Sequence, residues 1–196
     1  MALASLKDRL ARAFGHDPEQ SAAVDLYSRI VEQARTPAFY VEYGAAYGVP
    51  DTVEGRYDLL TLHMFLVLRR LRREAETTKP FAQKLFDVMF RNMDDSLREM
   101  GVGDLKVGAK VRGLAEDFYG RLGAYERALE GEGSLEEALG RNVFGEEGAA
   151  GARPLAAYVR RAERELAAQG TEGLRRGVVR FPDPGETASE TKETHE

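Results

Sequence analysis

YGVPDTVEGRYDLLTLHMFLVLRRLRR, residues 47–73, contains the most apolar run of the chain. Gly48-Val49-Pro50 makes a turn. Asp51 then offers a helix cap, with Glu54 three residues on as its capping-box partner. Over residues 59–68 only Thr61 and His63 interrupt the apolar side chains. A helix that is apolar nearly all round is buried in a core or in a membrane. This run is half of the roughly 20 apolar residues that a bilayer crossing needs. The stretch therefore reads as the central, buried helix of a helical domain. Arg69, Arg70, Arg72 and Arg73 at its exit suit the negative end of the helix dipole.

Composition narrows the function. The chain has 196 residues, 43% of them hydrophobic, which is enough for one domain with a real core. It has no cysteine, which excludes disulfides, thiolate metal sites and cysteine nucleophiles and fits a reducing compartment. A net charge of −5 argues against specific DNA binding through bulk charge. Residues 1–14 carry charges throughout, so no secretory leader is expected. The richness in Ala, Arg, Gly and Glu matches a bacterial chain from a GC-rich genome.

Outward from the central helix, the patterning is helical at every step. Leu3, Leu6, Leu10 and Phe14 share a face, with Lys7, Arg9 and Arg12 between them. Asp17-Pro18 opens the next helix, with Gln20 reaching back; Val24, Tyr27, Ile30, Val31 and Ala34 form its stripe. Thr36-Pro37 starts a short helix over residues 38–43. After the arginines, residues 74–79 read as a polar break and Pro80 as the start of a helix over 81–100, with its stripe at Phe81, Leu85, Val88, Met89, Met93, Leu97 and Met100. Asp104 reads as the cap of a helix over 105–130 whose stripe is Val111, Leu114, Phe118, Leu122, Tyr125 and Leu129. Gly108, Gly113, Gly120 and Gly123 lie inside it, each costing about 1 kcal/mol against alanine, which points to close helix packing. Ser134 with Glu137 is a capping box for a short helix. Residues 145–151 read as a flexible glycine-rich stretch, 154–169 as a last helix, and 178–181 as a short extended piece. The expected fold is all-α: a single-domain bundle of six to eight helices with a disordered acidic C-terminal tail. Its parts are an amphipathic N-terminal helix (1–16), a helical core (17–145), a glycine-rich segment with the C-terminal helix (146–180), and the tail (181–196).

Two chemical readings compete with plain structure. Asp94 and Asp95 on one helix can hold Mg²⁺ and a diphosphate, as aspartate-rich helices of prenyl-transfer enzymes do. The structural alternative is an Asp94–Arg98 pair across one turn, and no second aspartate-rich helix completes a metal cage. His63 is a candidate haem ligand, or a hydrogen-bonded core histidine. With three histidines in the chain, no Ser/His/Asp triad can be nominated. Arg69, Arg70, Arg72 and Arg73 form a candidate basic docking patch or a solvated helix end. Met64, Met89, Met93 and Met100 supply adaptable apolar surface or ordinary core.

The segments at 37–50, 51–72 (DTVEGRYDLLTLHMFLVLRRLR), 85–125 (LFDVMFRNMDDSLREMGVGDLKVGAKVRGLAEDFYGRLGAY) and 138–145 (ALGRNVFG) together resemble the ubiquinol–cytochrome c chaperone family. The resemblance runs from about residue 21 to 145. Its specific parts are Arg56-Tyr57-Asp58 followed by His63, the run DSLREMG at 95–101, and GDLKVG at 103–108. The resemblance implies a non-enzymatic assembly factor of the bc1 complex, without cofactor or metal. Mitochondrial members bind newly made cytochrome b, associate with the ribosome and commonly work with a small helical partner. A bacterial relative is expected in the cytoplasm, or peripherally on the inner membrane. The expected client groove lies between the helix over 81–100 and residues 57–68. Tyr40, Tyr43, Tyr47 and Tyr57 stand at its mouth, Met89 and Met93 in its wall, and Arg56, Asp58, Asp94, Arg98, Asp104 and Lys106 at its rim.

Overall fold

Helix α2 (Val53–Arg72) runs through the centre of the fold in a computed structural model that describes residues 17–40 and 47–185. Its residues 61–67 are all buried, as an all-round apolar helix must be. Thr52, not Asp51, caps it: the Thr52 hydroxyl accepts from the Gly55 amide at 3.1 Å. Asp51 instead pairs with Arg56 at 2.5 Å. Gly55 is required at this entry, because a Cβ there would strike the Pro50 carbonyl.

Helix α1 (Pro18–Ala34) starts as its sequence indicates, Asp17 accepting from the Glu19 amide at 3.0 Å. Gln20 does not reach back to the cap; its side chain is buried and its Nε2 has no partner. The short helix expected over 38–43 is a single 3₁₀ turn, Pro37–Phe39. Tyr40 then bridges to Val49, joining the two ends of residues 41–46, which lie outside the described residues.

Helix α3 (Ala75–Glu99) begins six residues before its expected start, and Pro80 lies within it. A proline this near the N-terminus forfeits one helical hydrogen bond, that to the Glu76 carbonyl. Thr78 helps hold the join, its hydroxyl donating to the Leu71 carbonyl at 2.6 Å. Helix α4 (Asp104–Leu129) begins at Asp104, with Gly103 as its cap position and no side-chain cap. Helix α5 (Leu135–Leu139) is capped by Ser134 and runs on into a π-turn, Gly140–Phe144. Helix α6 (Ala152–Ala167) starts two residues early, and α7 (Thr171–Arg175) is a short addition.

Helices α1, α3, α4 and α6 surround α2, and α7 packs on α1. The fold is all-α. The glycine-rich stretch is not a loose linker at its end: a Cβ on Gly151 would collide with the Tyr47 carbonyl and the Phe144 ring. Residues 178–181 form no strand. They lead into a strap held to the core by Tyr47 donating to the Pro184 carbonyl (2.9 Å) and Gln33 donating to that of Pro182 (3.2 Å). Residues 181–185, assigned from sequence to the tail, are therefore docked. The remaining tail and residues 1–16 lie outside the described residues.

Candidate functional site

The expected groove between α2 and α3 is closed. Leu62, Met64, Phe65, Leu66, Leu85, Val88 and Met89 are sealed in one core, and Met93 is 7% exposed. Met64, Met89 and Met93 therefore fill core, whereas Met100 is exposed.

An open cleft lies one helix over, between the C-terminal half of α2 and that of α4. It encloses about 460 Å³. Its apolar lining is Phe65, Leu68, Tyr119 and Leu122; its rim is Arg69, Arg72, Glu126 and Arg127. Gly123 lines the cleft with the Arg127 guanidinium 3.4 Å from where a Cβ would stand, and Gly120 has no atom within 4 Å of that position. The α4 glycines are thus not sites of close helix packing, contrary to the sequence expectation. Tyr119 stacks on Phe86 of α3 at 5.6 Å, and Phe86 meets Phe90 at 4.4 Å, so the apolar lining continues as an aromatic patch. Tyr119 itself is 59% exposed. Only Val107, Phe118 and Tyr125 of α4 are buried outright, so its stripe is half-covered.

The rim is electrostatically locked. Arg69 and Arg72 both donate to Glu126, and Arg73 donates to Glu163 at 2.7 Å. Arg70 is nearly buried; it pairs with Glu74 at 2.9 Å and donates to the carbonyls of Leu166 and Gln169. Burial pushes the Glu126 carboxyl above its ordinary value, against the pull of Arg69 and Arg72. The arginine exit thus ties α2 to α4 and α6.

The other nominated residues are dispersed. Tyr40 donates to the Ala34 carbonyl and Tyr47 to the strap, both from buried positions. Tyr57 donates to the Leu114 carbonyl at 2.8 Å, under the Arg121 guanidinium at 5.4 Å from its ring. Tyr43 lies outside the described residues. Asp58 is buried 2.9 Å from Arg121, off-axis for a hydrogen bond. Burial raises its carboxyl to about 6 despite that guanidinium. Arg98 holds Asp94 at 2.6 Å and also Asp104, at the α3–α4 turn; Lys106 is exposed beside them.

Neither chemical alternative gains a site. Diphosphate chemistry needs Asp94 and Asp95 to face a deep cavity. Asp94 is instead engaged by Arg98 at the surface, and Asp95 lies 3.7 Å from Arg91. Among the described residues no group of three or more His, Asp or Glu side chains stands close enough to hold a metal ion. His63 is fully buried with both ring nitrogens engaged. The Leu59 carbonyl can only accept, so Nδ1 carries the proton and donates to it at 2.7 Å; Nε2 then accepts from the Tyr158 hydroxyl at 2.8 Å. Gln33 donates to the same hydroxyl at 3.0 Å. With no nitrogen free, the site does not fit a haem iron. Burial lowers the imidazole to about 4, which keeps it neutral.

Sequence reasoning missed Tyr119, Gly123, Glu126 and Arg127 as a site, and also the Gln33–Tyr158–His63 chain. A weak signal existed for the first: Tyr119 and Gly123 fall off the apolar stripe of α4 while staying uncharged. No local signal joins Gln33, His63 and Tyr158, which meet across three helices.

Comparison with known proteins gives a consistent result. The family model described as ubiquinol–cytochrome C chaperone matches residues 45–181, running past residue 145, the end of the resemblance legible in the sequence. The ubiquinol-cytochrome-c reductase complex assembly factor 1 of Xenopus laevis is 23% identical over 124 residues, and that of Mus musculus 25% over 124. Each alignment covers 63% of this chain but only 60% and 41% of those relatives. The crystal structure of the Cbp3 homolog from Brucella abortus superposes with a TM-score of 0.75 at 35% identity, over 95% of this chain and 99% of that one.

Proposed function

The chain belongs to the ubiquinol–cytochrome c chaperone family, and from that premise we propose that it is an assembly chaperone of the ubiquinol–cytochrome c reductase complex that holds newly made cytochrome b. The observation that carries the reading is the family match over 45–181, which includes every residue of the α2–α4 cleft.

The mechanism requires no bond chemistry. A client made of apolar helices exposes surface until its partners arrive. Covering such surface is worth about 25 cal/mol per Å². The cleft is suited to cover it, with an apolar lining, an adjoining aromatic patch, and an α4 backbone left open at Gly120 for an approaching helix. Arg127, exposed at the rim, is placed to meet carboxylates or carbonyls at the end of a client helix. The four arginines of the α2 exit serve the fold more than a ribosome contact, since each is committed to Glu74, Glu126 or Glu163. We place the protein on the cytoplasmic side, where a nascent client is first accessible.

The test is crosslinking and affinity purification of the tagged full chain from detergent-solubilised membranes of a bc1-producing bacterium. Cytochrome b is expected in the eluate. Tyr119→Asp, at an exposed position, should reduce its recovery by about tenfold, the effect of removing an aromatic anchor. If a deletion strain keeps normal bc1 levels and no cytochrome b is captured, the proposal fails.

A further inference from the structure

The first turns of α4 carry a second surface that the cleft does not use. Leu105 is 101% exposed and Met100, across the Gly101-Val102-Gly103 turn, is 58% exposed. Two of the five large apolar side chains exposed among the described residues thus stand at this one turn. At 100° per residue, Leu105, Ala109 and Gly113 follow one outward strip of α4. Arg112 flanks this strip on one side, and Lys106 and Lys110 flank it on the other. Residues 105, 106, 109, 110 and 112 are all exposed, and nothing lies within 4 Å of a Cβ built on Gly113.

The charges of the tip are sorted. Arg98 engages both Asp94 and Asp104. Lys106, Lys110 and Arg112 are exposed on these turns, and Glu99, exposed at the end of α3, has a contact of its own. The sign changes at Glu116 and Asp117, where the basic strip ends. An apolar midline with cations on both flanks is the layout of a helix lying in a membrane interface, where lysine and arginine stems rise from the apolar zone to anionic headgroups. Among the described residues no helix is long and apolar enough to cross a membrane.

We infer that the α3–α4 tip, through Met100, Leu105 and the flanking Lys106, Lys110 and Arg112, docks the protein on an anionic lipid surface. Insertion is shallow: two apolar side chains enter the headgroup boundary and three cations hold the surface charge. The contact is therefore reversible and salt-sensitive. The inference rests on the geometry of this tip and not on the identity of the client.

The experiment is co-sedimentation of the full chain with vesicles of phosphatidylcholine alone or with 30% phosphatidylglycerol, at low and high salt. Binding is expected to the anionic vesicles only and to fall with salt. Leu105→Asp, and separately the triple change Lys106→Glu, Lys110→Glu, Arg112→Glu, should each weaken it by roughly tenfold or more, with helical content unchanged. Absence of binding overturns the inference and leaves the tip to a protein partner. So does binding that both variants keep but Leu6→Asp with Leu10→Asp abolishes, which would make the N-terminal segment the anchor. Capture of cytochrome b from detergent extract by Leu105→Asp tests the chaperone reading separately: that capture should persist.

Discussion

His63 and Asp58 are buried on the same helix, five residues apart, and titrate with opposite consequences. His63 is neutral in the fold and its value is lowered to about 4. Its contribution is complete above the ordinary imidazole value and is lost as pH falls toward 4, when the unfolded chain takes up a proton that the folded one refuses. The full loss is on the order of 3 kcal/mol. Asp58 is raised to about 6, so the fold is stabilised as pH falls through 6 and loses that contribution as pH rises. Glu54 and Asp117 push Asp58 further up, while Arg121 pulls it down. Between pH 4 and 6 the two residues offset one another. Asp58→Asn should therefore steepen the acid-side fall in stability, measured by urea denaturation from pH 4.5 to 7. An unchanged slope would remove Asp58 from this account. Tyr158→Phe deletes the donor to His63 Nε2 and should cost about 1–3 kcal/mol by the same assay, because it strands a buried acceptor.

At the scale of the helix, the same residue type acts in opposite ways. Gly113 and Gly120 sit inside α4 with open space around them, so alanine at either should stabilise by about 0.5–1 kcal/mol. Gly151 sits where a Cβ meets the Tyr47 carbonyl and the Phe144 ring, so Gly151→Ala should lower the melting temperature clearly. Raised stability in Gly120→Ala combined with weaker cytochrome b capture would mark that glycine as kept for client approach. Thr52→Ala should cost about 1 kcal/mol and Asp51→Ala less, because the hydroxyl makes the cap and Asp51 has only an exposed arginine. Which of two neighbouring cap-type residues closes a helix depends on backbone angles that local composition does not encode. The early start of α3 has the same origin: Pro80 is tolerated because the preceding turn is anchored through Thr78 to α2.

At the scale of the molecule, the C-terminal strap closes the core. Phe181 lies 5.2 Å from the His63 ring, and Arg180 donates its amide to Gln169 while Pro182 and Pro184 accept from Gln33 and Tyr47. Phe181→Ala should cost roughly 2–4 kcal/mol in thermal or chemical unfolding. Hydrogen exchange should show the amide of His63 opening faster in that variant; protection equal to the parent would mean the strap is not part of the cooperative unit.

Residue pattern alone determined that the chain is helical, that residues 53–72 form its buried centre and that His63 belongs to the core, because apolar periodicity and burial are local consequences of composition. The family resemblance was legible in the same stretch. Tertiary structure decided which face stays open. Apolar stripes on α3 and α4 both read as core-facing along the chain; α3 is sealed against α1 and α2, whereas α4 keeps one flank free. It also decided that Arg69, Arg72 and Arg73 at the helix exit are ion-pair anchors, since their partners Glu126 and Glu163 stand more than fifty residues away along the chain. Packing and charge pairing between distant segments are properties of proximity, and proximity is created only by the fold.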